Sequence, residues 1–332
     1  MTRSKTNGTL LLTAMGAVSV ALGGALPALA AAAAPAVINI PGEKIFPESL
    51  TSSSDGSVII GSIGQKQIYR AKPGSDTAEV WIPAGTDGLN NILGVFADNK
   101  SNTLYACSNQ LGPPPTDGKP PVNATLYTFD LKSGKPKGHY VFPTEKGTCN
   151  DIAVDAAGNA YATDTGNMEV VRLKKGGKDL EVWAGNGAFG PKGGVLDGIS
   201  VLGNRVLVNT LATSKVFSIP IGADGKSGTV AEVKLDQPIS RPDGMRSFGK
   251  SDLLIIEGGN ARVSRITLSG DTGKVTPIKD GFSDGPVAVT VVGTTAYVLE
   301  GQLAAFMRRP GADTPPPEPK PFKATSVEVG KP

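Results

Sequence analysis

Three carboxylates and one amide, at intervals of 102, 47 and 46 residues, each stand at the start of a short apolar run. Glu48 stands in PESLTSSSDGSVIIGS, Asn150 in NDIAVDAAGNAYATD, Asp197 in DGISVLGNRVLVNT and Asp243 in DGMRSFGKSDLLIIEG. Oxygen donors of this kind suit a hard divalent cation, and Ca²⁺ accepts carboxylate, amide and water oxygens at flexible coordination numbers. With no cysteine or histidine at these positions, zinc and copper fit less well. Taken singly, Asp-Gly and Asn-Asp are ordinary turn pairs. The argument for a site rests on the set.

Something must bring the set together, and an internal repeat can do so. Two further stretches follow the same pattern: LGVFADNKSNTLYACS from Leu93 and PVAVTVVGTTAYVLEG from Pro286. With Glu48, Leu93, Asn150, Asp197, Asp243 and Pro286 as equivalents, the intervals are 45, 57, 47, 46 and 43 residues. The longest contains the insertion LGPPPTDGKPPVN, which reads as a projecting loop. Third strands are expected at QIYRAK, TLYTFDL, EVVRLKK, KVFSIPI, RVSRITL and, more weakly, QLAAFMR. A fourth often follows, as in AEVWIPA or LEVWAG. Four-strand units of this length predict an all-β fold, a six-bladed β-propeller with a central divalent metal site. A β-sandwich or solenoid does not account naturally for six such units. The sixth unit lacks an outer strand, which either VINI (Val37 to Ile40) or KATSVEV near the C-terminus could supply.

The expected organisation is a secretory signal peptide at 1–30, an Ala-rich linker at 31–36, the propeller at 37–310 and a Pro-rich tail at 311–332. Arg3 and Lys5, the apolar run Leu10 to Leu22 and the small-residue motif Ala28-Leu29-Ala30 carry the first assignment. The chain is therefore expected to be exported, to the periplasm or medium, with no membrane attachment after cleavage. The formal net charge is +3, and +1 without Arg3 and Lys5. So balanced a surface gives no electrostatic reason to expect nucleic acid. The expected partner is a small molecule, bound by a monomer.

FPES, CNDIAVDAAGNAYATD, LDGISV and RPDGM resemble the blade starts of the gluconolactonase/regucalcin (senescence marker protein) group, related to diisopropyl fluorophosphatase and more distantly to the paraoxonases. The resemblance spans about residues 40–310. It implies a six-bladed propeller with a divalent cation, often Ca²⁺, at the channel, and hydrolysis of lactones or phosphoesters. It assigns Glu48 and Asn150 to the metal and makes Asp243 both ligand and base or nucleophile. Asp197 departs from the pattern, standing where these relatives commonly have asparagine. The substrate-binding arginine of the gluconolactonases has no match. A histidine dyad of the paraoxonase kind cannot form, because His139 is the chain's one histidine and falls in an expected outer strand.

The expected reaction is opening of a lactone or related ester by a metal-dependent hydrolase. Its alternative is a non-catalytic platform that binds a ligand or protein around a structural metal. A quinone-dependent redox enzyme is a weaker third reading. Loops after the second strands open on the metal's face and offer Asn109, Asp164, Thr210, Glu257 and Glu300 for substrate selection, although each also suits a turn. Cys107 and Cys149 fall on adjacent blades, close enough for a disulfide in an oxidising compartment, with separate buried thiols as the alternative.

Overall fold

Turn chemistry and apolar runs together set the strands. Between the first and second strand of each unit stands one residue of positive φ: Gly56 (87°), Asn102 (51°), Gly158 (91°), Gly203 (62°), Gly249 (65°) and Gly293 (63°). Glycine and asparagine tolerate that region, so the chain can reverse tightly between two buried strands. In the computed structural model, which describes residues 34–112, 123–307 and 316–332 and a few positions before residue 9, these reversals build six antiparallel blades.

Blade 1 is formed by Pro47–Ser52, Val58–Ser62, Ile68–Ala71 and Glu79–Ile82. Blades 2, 3 and 4 begin at Asn91–Asp98, Cys149–Val154 and Leu196–Leu202. Blade 5 begins at Pro242–Phe248 and carries an extra parallel strand, Lys234–Leu235, on its outer edge. Among the described residues, buried apolar side chains fall into six clusters, five shared by two neighbouring blades and one joining blades 2 and 3 with Ile63 of blade 1. Inner strands such as Val58–Ser62 are therefore buried on both faces, while the outer strand Pro136–Val141 alternates between exposed and half-buried. Hydrophobic burial between blades is the main force closing the ring.

Blade 6 differs from expectation. Its third strand is Phe322–Glu328, paired with Thr295–Glu300, and its outermost is Val37–Ile40, paired with Phe322–Glu328. The strands Val37–Ile40 and Phe322–Glu328 close the ring together, so the propeller extends well past residue 310. QLAAFMR is not a strand: Leu303–Phe306 form one helical turn. Two alanines favour helix there, and the β-branched Thr325 and Val327 make the later segment the better strand. The signal-peptide assignment, the tip of the Leu111 to Asn123 insertion and residues 308–315 lie outside the described residues.

Candidate metal centre

Every innermost strand breaks register near its start. The shifts fall between Pro47 and Ser49, Ile92 and Val95, Cys149 and Ile152, Leu196 and Ile199, Pro242 and Met245, and Pro286 and Ala288. A bulge of one extra residue re-aims a side chain that the pleat would otherwise direct into a blade. Glu48, Asn150, Asp197 and Asp243 all occupy these bulges. In blade 6 the extra residue is Val287, not Pro286, because Pro286 pairs with Glu300 as Pro47 pairs with Ser62.

Asp197-Gly198 and Asp243-Gly244 are consequently not turns, despite their composition. Gly198 allows the next blade to approach: a Cβ there would lie 2.5 Å from the Asp243 carbonyl oxygen. At Gly94 a Cβ would lie 2.2 Å from the Asn150 carbonyl oxygen. Blades pack backbone to backbone at this level, which draws the four bulges toward one axis.

Glu48, Asp197 and Asp243 each offer a carboxylate oxygen within 4.8 Å of the others. Glu48, Asn150 and Asp197 are buried, while Asp243 is half-buried. Only Asp243 among the three carboxylates accepts a hydrogen bond from the described residues, from the Gly244 N–H at 2.9 Å. Burial and mutual repulsion push all three well above the usual carboxylate range: Asp197 and Asp151 act on Glu48, Asp243 and Asp151 on Asp197, and Glu48 on Asp243. Asn150 donates from Nδ2 to Thr165 Oγ1 at 3.1 Å, and its Oδ1 is buried without a partner among the described residues. Buried carboxylates that repel and a buried acceptor without a donor are what an oxygen-coordinated cation resolves.

Beside the three carboxylates lies a pair that sequence reading missed. Arg246 of blade 5 donates to both oxygens of Asp151 in blade 3, at 2.7 and 3.1 Å, and reaches the Val95 carbonyl of blade 2 at 3.3 Å. Asp151 also accepts the Ile199 N–H of blade 4 at 3.2 Å. The available signal was Asp151 itself, which takes the position after the bulge where blades 2, 4 and 5 have glycine. Cys107 and Cys149 form a disulfide that ties blade 2 to blade 3 one residue before Asn150.

The five residues proposed for substrate selection are all engaged in the scaffold. Asn109 donates to the Cys149 carbonyl at 2.8 Å and accepts its N–H at 2.9 Å, clamping two blades. Asp164 accepts the Thr148 N–H ahead of the blade's first strand and Asn167 Nδ2 from the loop that follows, while Thr210 bonds Thr213. Glu257 accepts from Arg262, Ser264 and Asn260, and Glu300 accepts the Asp284 N–H. None of them is among the residues lining a cleft of ≈ 600 Å³ that opens onto Asp243. That cleft is bounded by Arg241, Leu211, Val287, Leu303, Ala304 and Met307. His139 is exposed on an outer strand, 3.3 Å from Asp87.

No family model matches the chain, and neither does any curated protein. Solved structures do match. A gluconolactonase from Xanthomonas campestris is 12% identical with a TM-score of 0.61, covering 88% of this chain and 89% of its own. A luciferin-regenerating enzyme is likewise 12% identical at 0.61, with coverages of 89% and 95%. Virginiamycin B lyase from Staphylococcus aureus, in a form inactivated by replacing a histidine with alanine and holding quinupristin, is 14% identical at 0.54, with coverages of 88% and 98%. At these identities the likeness is one of fold, and this chain is a six-bladed propeller of the kind found in gluconolactonase structures.

Proposed function

We propose that this chain is an exported, metal-dependent hydrolase that opens a lactone or related ester at the channel mouth. The observation that supports it most is the convergence of Glu48, Asp197 and Asp243 within 4.8 Å, beneath a cleft that reaches Asp243. The three carboxylates and Asn150 Oδ1 would hold a hard divalent cation, Ca²⁺ by donor type. Such a cation, when bound, polarises an ester carbonyl and lowers the pKa of water.

Glu48 and Asp197, fully buried, hold; Asp243, half-buried at the cleft, reacts. Burial and the Glu48 charge raise its pKa, as suits a group that must accept a proton, and its Gly244 hydrogen bond and the Arg241 charge oppose that rise in part. Asp243 takes a proton from water as the water oxygen bonds to the carbonyl carbon. The acyl C–O bond then breaks, and the proton passes to the departing alkoxide to give a hydroxy acid. A histidine-dependent lyase reaction is disfavoured, since His139 lies on an outer strand.

The test is hydrolysis of a lactone panel by residues 31–332 with Ca²⁺, with chelator, and by Asp243→Asn. The expected result is turnover lost at least roughly 100-fold in both controls. Tight Ca²⁺ binding with no turnover on any substrate would favour the binding platform instead.

A further inference from the structure

Seven arginines lie among the described residues, and six have a carboxylate within 4.0 Å: Arg70, Arg172, Arg205, Arg246, Arg262 and Arg265. Arg241 is the exception. Its backbone is nonetheless held firmly in the left-handed region, at φ 47°. The Arg241 N–H donates to Ser214 Oγ at 3.0 Å, and the Arg241 carbonyl accepts the Gly258 N–H at 3.0 Å. Pro242 follows, with its own φ fixed by the ring. A residue before proline rarely adopts this conformation, so the surrounding contacts impose it. The outcome is an exposed guanidinium with no carboxylate within 4.0 Å among the described residues, anchored two residues from Asp243 on the same cleft.

The rest of that cleft is apolar. Leu211, Pro286, Val287, Leu303, Ala304 and Met307 line it, and Met307 is 61% exposed. Among the described residues, Arg241 and Asp243 are the ionisable side chains in the lining. A polyhydroxylated lactone entering here would leave most of its hydroxyls facing carbon, each losing its water partners without replacement. A guanidinium instead matches a carboxylate, through two parallel hydrogen bonds. Charge permits it. Three ionised carboxylates around a divalent cation leave one negative charge, and Arg241 offsets it, so an anionic group beside Arg241 meets no net repulsion.

Resting on the hydrolase reading above, we infer that the substrate is an apolar lactone or ester carrying a carboxylate, and that Arg241 anchors this group while Asp243 faces the reacting carbonyl. Because the two residues flank a single proline, the carboxylate sits only a few bonds from that carbonyl.

Three lactones of one ring size test this: an alkyl lactone, the same compound with a carboxylate near the ring, and gluconolactone. The wild-type protein is expected to favour the carboxylated compound by at least about 10-fold in kcat/KM. Arg241→Gln should collapse that ratio toward one, acting on KM more than on kcat, and Arg241→Lys should restore part of it. Calorimetry with the non-hydrolysable lactam of the carboxylated compound gives a readout independent of turnover. Its binding should weaken roughly 10- to 100-fold in Arg241→Gln. Turnover with no preference, a preference for gluconolactone, or a ratio unchanged in Arg241→Gln would overturn the inference while leaving the hydrolase intact. Arg241-dependent lactam binding with no turnover of any lactone would instead overturn the hydrolase and retain the anion-anchoring cleft.

Discussion

Glu257 and Glu48 are both glutamates buried in strands of this propeller, at 0% and 7% exposure, and their surroundings make them opposites. Glu257 accepts from Arg262 at 2.7 and 3.0 Å, Ser264 at 2.5 Å, Asn260 at 2.8 Å and the Ser240 N–H at 3.1 Å. Burial alone would raise its pKa, but these donors outweigh burial and hold it below the usual range. Glu48 faces Asp197 and Asp243 and accepts no hydrogen bond among the described residues, so burial and repulsion raise it. Burial is common to both, and only the partners separate a scaffold brace from a member of a cluster of repelling carboxylates.

Breaking the brace should have the largest effect. Arg262→Ala strands Glu257 without its cation and should cost about 3–5 kcal/mol in urea denaturation, equally with and without Ca²⁺. If the loss vanished on adding Ca²⁺, Glu257 would belong with the metal ligands. Glu48→Gln sharpens the contrast from the other side. Ca²⁺ affinity by calorimetry should fall roughly 100-fold, about 2.7 kcal/mol, while the metal-free protein becomes more stable because a repelling charge is gone.

A subtler difference is the sign of the pH dependence. Glu257, held low, contributes stability that is present above its unfolded pKa of about 4.3 and is lost as pH falls through its folded value. Glu48, Asp197 and Asp243, held high, contribute stability to the metal-free protein that is complete below about pH 4 and is lost as pH rises through their folded values. The thermal midpoint of metal-free Glu257→Gln should therefore lose less on acidification than that of the wild type. The gap between Ca²⁺-loaded and metal-free midpoints should widen toward neutral pH. A gap independent of pH would mean that these carboxylates release no protons on binding Ca²⁺.

The approach of Glu48, Asp197 and Asp243 to one another was legible because a repeat carries its own registration: equivalent positions of six blades must meet around one axis. Residues after the second strands were not legible in this way. Asp164, Glu257 and Glu300 look in sequence like donors facing an open channel, but their partners are loop N–H groups and side chains a few to about twenty residues away. Local polarity is the same in either setting, and only the folded loop decides which it is.

The chain by itself determined the number of blades, the strand-start positions and the donor types, since alternation, turn residues and period are local properties repeated six times. Tertiary structure decided the rest. It set which bulge residue faces inward in blade 6, joined Val37 to Thr325 in one sheet, paired Arg246 with Asp151 across 95 positions, and left Arg241 near Asp243 with no ion-pair partner among the described residues. Each of these depends on which distant groups the closed ring brings together, and ring closure is driven by burial between blades, which no single repeat contains.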